Sequence, residues 1–215
     1  MERAFSLADL YRQAFFKDLI IKTQNFGQVK WLGHPIWQNI LDLWTIQETI
    51  GEVQPALLIE CGTHRGGSAL FYAHLFELLG KGRVVTIDVE SMHQLSHARI
   101  RFLIGSSTDL AIVRVVRDEV AQSAGPIFVI LDSNHAADHV FREMELYGPL
   151  VTPGSYLLVQ DGIMDLMDIL RGPGPGPLAA IQKFLPQHPE FEVDMEKCGR
   201  FLITHHPMGW LRRRA

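Results

Sequence analysis

Three stretches of this chain carry residues whose types and spacing could do chemistry together. In Leu57-Leu-Ile-Glu-Cys-Gly-Thr-His-Arg-Gly-Gly-Ser68 an apolar run ends in an acid, breaks into glycines and passes into a helical pattern. Such a loop suits a nucleotide cofactor. Glu60 closes a buried strand, Gly62 permits a tight turn, and Gly66 and Gly67 let a ligand approach the backbone where a helix opens at Ser68. Arg83-Val-Val-Thr-Ile-Asp88 supplies a second strand ending in an acid, the usual partner of the two ribose hydroxyls of an adenosine. Ile130-Leu-Asp-Ser-Asn-His135 and Leu158-Val-Gln-Asp-Gly162 then place Asp132, His135, Gln160 and Asp161 just past two further strands. Ligands of open α/β sheets bind at those ends.

The glycine spacing narrows the cofactor. The nicotinamide fingerprint is G-x-G-x-x-G, whereas this chain reads E-x-G-x-x-x-G-G-S. A nicotinamide oxidoreductase is therefore disfavoured. An acid before the glycine is the pattern of S-adenosylmethionine (SAM) methyltransferases, where the acid answers the cationic amino-acid end of the cofactor. Glycines can also serve an α/β turn for backbone reasons alone, so the loop by itself is weak evidence.

Two carboxylates and an amide oxygen at Asp132, Gln160 and Asp161 form a hard oxygen cage of the kind that suits Mg²⁺ rather than zinc. A divalent ion there would orient a hydroxylated acceptor and lower the pKa of the hydroxyl to be methylated. His135 could act as general base, since its ordinary pKa lies near neutrality, with Asp132 as the second candidate catalytic residue. The structural alternatives are that His135 is a satisfied surface histidine and that Asp132 caps a helix starting near Ala136.

The elements that must position these groups follow from periodicity. Ala4 to about Ile21 and Ile36 to Gly51 read as helices, and then strands and helices alternate. Strands are expected at Leu57–Glu60, Val84–Asp88, Arg101–Ile104, Ile127–Asp132 and Tyr156–Gln160, with helices at Ser68–Leu79, Thr108–Ser123 and Ala137–Leu150. Short apolar strands separated by helices mean a parallel sheet covered on both faces. Phe191–Met195 and Gly199–Thr204 read as a C-terminal antiparallel hairpin. The expected fold is thus α/β and Rossmann-like, the class I methyltransferase architecture: a seven-stranded, mostly parallel sheet with that hairpin at its edge. Residues 1–52 would form an N-terminal helical cap or oligomer face, and residues 53–215 the catalytic domain. Arg171-Gly-Pro-Gly-Pro-Gly-Pro177 cannot continue the helix expected around Met164–Leu170, and is read as a surface loop or a substrate lid.

Composition limits the rest. At 215 residues, 47% apolar and 20% charged, the chain is large enough to bury one core and too short for two such domains. A net charge of −4 gives no reason to expect nucleic acid or an anionic membrane as partner. The basic run Arg212–Arg214 reads as a frayed tail. Two cysteines, Cys61 and Cys198, are too few for a disulfide framework, and no signal peptide or spanning segment is visible. A cytoplasmic homo-oligomer acting on a small molecule is the expectation.

The chain resembles the cephalosporin hydroxylase family, SAM-dependent, Mg²⁺-associated methyltransferase-like proteins related to macrolide-sugar and rhamnosyl O-methyltransferases. The resemblance runs from Trp31-Leu-Gly-His-Pro-Ile36, Asp42 and Gln47-Glu48 through the loop ending at Ser68, Asp88, Gly105-Ser-Ser107, Leu131-Asp-Ser-Asn-His135 and His139. It continues through Tyr147-Gly-Pro-Leu-Val-Thr-Pro-Gly-Ser-Tyr156, Gln160-Asp161, Gly176-Pro177 and Pro207-Met-Gly-Trp-Leu-Arg212. It implies SAM held by Glu60, Gly62, Thr63, Gly66, Gly67, Ser68, Asp88, Ser107 and Asp132, and a metal at Asp132, Gln160 and Asp161. The family pattern has an acid where this chain has Gln160. That neutral residue keeps open a second reading, a catalytically weak SAM-binding module that partners a biosynthetic enzyme. No His-His-carboxylate iron site accompanies the hydroxylase name. SAM-dependent, Mg²⁺-assisted O-methylation of a sugar or natural-product hydroxyl is the activity implied.

Overall fold

The computed structural model describes residues 7–167, 172 and 174–215. The chain opens with helix α1 (Leu7–Thr23), the short α2 (Asn25–Gln28), the ribbon β1 (Lys30–Trp31) and β2 (His34–Pro35), and α3 (Ile40–Val53). The alternating part follows: β3 (Leu57–Cys61), α4 (Gly67–Leu78), β4 (Arg83–Asp88), β5 (Ile100–Ile104), α5 (Leu110–Ala121), β6 (Ile127–Leu131), α6 (Ala137–Tyr147) and β7 (Tyr156–Val159). It ends with α7 (Pro177–Phe184), β8 (Phe191–Val193), α8 (Met195–Cys198) and β9 (Trp210–Arg213).

One seven-stranded sheet runs in the order β5-β4-β3-β6-β7-β9-β8. β3 to β7 are mutually parallel, and β9 lies antiparallel to both β7 and β8. This is the expected fold. The central strands β3 and β6 are buried at every position, so both sheet faces are dry and each strand reads as an unbroken apolar run. The chain steps outward from β3 through β4 to β5, then crosses back through α5 to β6 on the other side of β3, and the crevice at the ends of β3 and β6, where the strand order reverses, is where a ligand belongs.

The helix expected over Ile36–Gly51 begins at Ile40. Trp37 adopts a left-handed φ of 49°, and Asn39 caps the helix by accepting from the Leu41 amide, so helical geometry cannot start earlier. Leu43, Ile46 and Ile50 face the sheet in one cluster with Leu58 and Ile130, whereas Trp37 and Trp44 stay exposed. The boundary placed between residues 52 and 53 falls at the last turn of α3. For the first helix, residues 4–6 lie outside those described.

The C-terminal hairpin needs correction. Its first strand is β8, but its partner is Trp210–Arg213 rather than Gly199–Thr204. Asp194 ends β8 by capping α8 through the Glu196 and Lys197 amides, and Leu202 is 71% exposed with a left-handed φ, while Trp210 and Leu211 are fully buried. Burial of two large apolar side chains, about 1.5–3 kcal/mol each, decides which run joins the sheet. Arg212 and Arg213 consequently belong to a strand and are no frayed tail; Arg213 donates to the carbonyls of Pro149 and Val151. Past β7 the chain makes a 3-10 turn over Gly162–Asp165 that ends at Leu166, so the helix expected around Met164–Leu170 is not formed at Leu166 and Met167, and residues 168–170 lie outside those described. Asp165 accepts from the amides of Gly176, Leu178 and Ala179, tying the end of the glycine-proline segment to the start of α7. No described helix is long and apolar enough to cross a membrane.

Candidate functional site

A cavity of about 870 Å³ opens at the carboxyl ends of β3, β4, β5 and β6. Its walls come from the glycine loop, Asp88, the Gly105–Ser107 turn, the Asp132–His135 turn, His139, Asp161 and the Pro35–Gln38 segment. Most of the expected site residues therefore meet in one place.

The loop is shaped by close backbone passage. The Gly62 amide donates to the Ile87 carbonyl and the Asp132 amide to the Cys61 carbonyl, which ties the ends of β4, β3 and β6 together. A Cβ at Gly62 would lie 1.9 Å from the Asp132 carbonyl oxygen, and its φ is +107°, so only glycine fits. At Gly67 a Cβ would lie 2.1 Å from the Pro35 carbonyl oxygen: this glycine, which also lines the cavity, admits the N-terminal ribbon. Gly66, in a left-handed conformation, caps α4 and packs against Leu95; it does not line the cavity.

Beneath the loop lies a chain of buried hydroxyls. Thr63 and Thr86 share a 2.6 Å hydrogen bond, and Thr86 donates to Glu60 at 2.6 Å. The other Glu60 oxygen, Oε1, is buried with no hydrogen-bond partner. Burial pushes the Glu60 carboxyl up to about 7 against the nearby Ser68 and Thr86 hydroxyls, with the charges of Asp132 and Asp88 adding to the rise; Glu60 itself does not line the cavity. A buried acceptor left open calls for a donor, and the ammonium of SAM is of that kind. Asp88 does line the cavity, and one of its oxygens accepts the His64 amide at 2.7 Å, so it fastens the loop while remaining available to a hydroxylated ligand. Cys61 is buried in apolar surroundings and its thiol is raised, which removes it as a nucleophile.

Opposite the loop stand Asp132, His135 and Asp161, whose ligating atoms all lie within 4.8 Å of one another. His135 Nε2 is 3.5 Å from Asp132 Oδ1 and 3.3 Å from Asp161 Oδ2. Burial alone would lower the imidazole; the Asp132 hydrogen bond and the Asp161 charge override it and raise His135 to about 9. The carboxylates share the burden unequally. Burial and the Asp161 charge raise Asp132, whereas the His205 hydrogen bond and neighbouring histidines hold Asp161 low against its burial. Asp161 therefore carries the firmer negative charge. Two carboxylates gathered at this distance around one imidazole fit a small divalent cation. Asp132 does not cap α6: Ala136 is the cap residue, and Asn134 accepts its amide. Gln160 is 2% exposed, does not line the cavity, and its Nε2 has no hydrogen-bond partner.

Gln38, His205, His206 and Glu143 were not singled out from the sequence, and the structure ties them to residues that were. Gln38 donates to Asp132 Oδ2 at 2.7 Å. His205 Nδ1 lies 3.4 Å from Asp161 Oδ1, and His206 Nδ1 accepts the Asp161 amide at 3.1 Å. Ser107 and Ser133 each lie 3.3 Å from His139 Nε2, and Ser133 donates to the fully buried Glu143. The adjacent histidines at 205 and 206, ending an apolar run, were the one visible signal; Gln38 and Glu143 carried none.

A family model described as Rhamnosyl O-methyltransferase/CmcI matches residues 23–214. The rhamnosyl O-methyltransferase of Mycobacterium tuberculosis is 34% identical over 97% of this chain and 85% of its own length. That of Mycobacterium leprae is 32% identical over 97% and 91%. Among solved structures, CmcI with Mg and SAM superposes with a TM-score of 0.69 at 21% identity, covering 89% of this chain and 78% of its own. The MycE methyltransferase from the mycinamycin biosynthetic pathway, in complex with Mg, SAH and mycinamycin VI, gives 0.52 at 20% identity over 69% of this chain and 41% of its own. The shared sheet and the match across nearly the whole sequence lead to one assignment: the chain belongs to the rhamnosyl O-methyltransferase/CmcI family.

Proposed function

We propose that this protein is a SAM-dependent, Mg²⁺-assisted O-methyltransferase acting on a hydroxyl of a sugar or sugar-bearing natural product. The observation that carries the reading is the pairing of Asp132 and Asp161 on one cavity wall, opposite the acid-glycine loop with its open Glu60 acceptor. SAM supplies the methyl group, and a divalent ion orients the acceptor and acidifies its hydroxyl. Glu60 receives the ammonium of the cofactor, Asp88 its ribose, and the Gly62–Ser68 loop and Ser107 enclose the rest. Asp132 and Asp161 hold the ion; Gln160, which does not line the cavity, would become a third ligand only by turning its amide oxygen toward it. His135, between those carboxylates, is placed to take the proton of the acceptor hydroxyl once a bound ion offsets the carboxylate charges that otherwise keep its ring protonated.

The rhamnosyl O-methyltransferases among the relatives favour a deoxysugar acceptor. Exposed apolar residues of the N-terminal layer, Leu32, Ile40 and Trp44, favour a homo-oligomer, and two buried free cysteines favour a reducing cytoplasm. In this reading residues 1–52 form the layer in front of the catalytic domain, residues 53–215. The test is incubation with methyl-labelled SAM, Mg²⁺ and a panel of rhamnosides, alongside calorimetry with SAM and NAD. Label transfer and selective SAM binding are expected; NAD binding without SAM binding would refute the reading.

Gln160 keeps the second reading, a SAM-binding module with little turnover, within reach of experiment. Gln160→Glu adds a carboxylate beside Asp161 and should tighten Mg²⁺ binding on the order of tenfold, since one decade needs only about 1.4 kcal/mol. Without the ion the same change buries a charge and should lower the melting temperature. Gain of ion affinity together with turnover supports the enzyme; gain of affinity without turnover supports the module. Unchanged ion affinity removes position 160 from the site.

A further inference from the structure

The two carboxylates of the metal reading stand on different strands, yet one stretch of the N-terminal layer reaches both. Gln38 holds Asp132 directly. Four residues on, in the first turn of α3, Asp42 is 2% exposed and accepts three hydrogen bonds: from Asn39 Nδ2, Thr204 Oγ1 and the His205 amide. That carboxylate anchors a turn remote in sequence. Within the turn, Thr204 Oγ1 accepts the His206 amide at 2.9 Å.

The His206 ring is 1% exposed, and its Nδ1 accepts the Asp161 amide. An accepting Nδ1 places the ring proton of the neutral imidazole on Nε2, which faces Asp42 Oδ2 at 3.8 Å, too far for a hydrogen bond. A second stitch joins the Ile163 amide to the His205 carbonyl at 3.0 Å. These contacts act on an unusual backbone. Asp161 has a left-handed φ of 57°, which a residue with a Cβ adopts at a cost and keeps only when its surroundings hold it there.

We infer that Asp42, Thr204 and His206 form a positioning relay that sets the backbone of Asp161, and through it the affinity of the site for a divalent ion. The inference rests on the metal reading of Asp132 and Asp161 given above. None of the three lines the cavity, so their effect passes through Asp161. Paired carboxylates repel until an ion arrives, and groups that hold ligands in place beforehand typically change metal affinity by about 10–100-fold. The relay makes the N-terminal layer part of the metal site.

The test titrates Mn²⁺, as the probe, into the SAM-loaded protein by calorimetry, comparing wild type with His206→Leu, His206→Asn and Thr204→Val. His206→Leu should weaken the ion roughly tenfold or more while SAM affinity stays unchanged. His206→Asn, whose Oδ1 can accept the Asp161 amide where Nδ1 does, should remain within about threefold of wild type. Thr204→Val keeps the shape but removes the hydroxyl, and should fall between. Wild-type ion affinity in His206→Leu, or a His206→Asn variant as weak as His206→Leu, overturns the relay. If His206→Leu loses SAM binding as well, its fold has failed, and Thr204→Val decides: unchanged ion affinity there overturns the relay. Failure of the wild type to bind Mn²⁺ would refute the metal reading itself and the relay with it.

Discussion

Asp161→Asn is expected to leave SAM affinity within severalfold of wild type and to lower Mg²⁺-dependent methyl transfer by about 10²–10³-fold. Asp161 carries the firmer charge of the pair, because His205 and His135 favour its ionised form. Removing that charge takes away the main electrostatic attraction for a cation at a distance where it is large. A metal that organises an acceptor and acidifies its hydroxyl contributes several kcal/mol, and each decade of rate is worth about 1.4 kcal/mol. The SAM side of the cavity is built from Asp88 and the glycine loop, with Glu60 buried outside its lining, and should be little affected. Calorimetry gives the SAM affinity; methyl transfer in Mg²⁺ and in chelator gives the rate. Equal turnover under those two conditions in the wild type would remove the ion from the mechanism.

Glu60→Gln should act in opposite directions on stability and on binding. Glu60 is raised from 4.5 to about 7 by burial, so the folded chain binds a proton that the unfolded chain has lost between those values. Its contribution to stability is fully present below pH 4.5 and is lost as pH rises through 7. The difference of about 2.5 units corresponds to roughly 3 kcal/mol at pH 8. The glutamine variant carries no such charge. Its SAM-free form should therefore melt higher than wild type at pH 8, with the gap closing toward pH 5. SAM binding should weaken by about 1–3 kcal/mol, the value of a charge-assisted hydrogen bond to the ammonium. In the wild type, SAM affinity should also fall as pH drops below 7, a dependence that Glu60→Gln lacks. A variant that binds SAM as tightly as wild type would show that Glu60 does not face the cofactor.

How much of this was legible in the chain depended on how local the cause was. The five parallel strands and the helices between them follow from apolar runs and helical spacing, which need no partner to be recognised. Their ends agree with the structure within a residue or two, save α6, which stops at Tyr147 and passes into a 3-10 turn over Gly148–Leu150 where Pro149 interrupts it. The final hairpin was misjudged because Gly199–Thr204 and Trp210–Arg213 are both short apolar runs. Only the sheet edge, by burying Trp210 and Leu211, distinguishes them. Likewise Gly66 was expected to face a ligand and instead packs against Leu95, whereas Gly67 lines the cavity and also admits the Pro35 backbone, a neighbour remote in sequence.

The site divides along the same line. Glu60, Asp88, Asp132 and Asp161 were visible because each follows an apolar strand, and parallel strands deliver their carboxyl ends to one edge of the sheet. The sequence by itself thus determined the sheet, the acid-glycine loop and the set of carboxylates at the strand ends. The tertiary structure alone decided what each carboxylate touches: Gln38 on Asp132, His135 between the pair, and Asp42, Thr204 and His206 behind Asp161. The physical reason is range. Periodicity and turn chemistry act over a few residues, whereas the Asp161–His206, Gln38–Asp132 and Asp42–Thr204 contacts join positions 45, 94 and 162 apart, and a chain must close its loops before such pairs can meet.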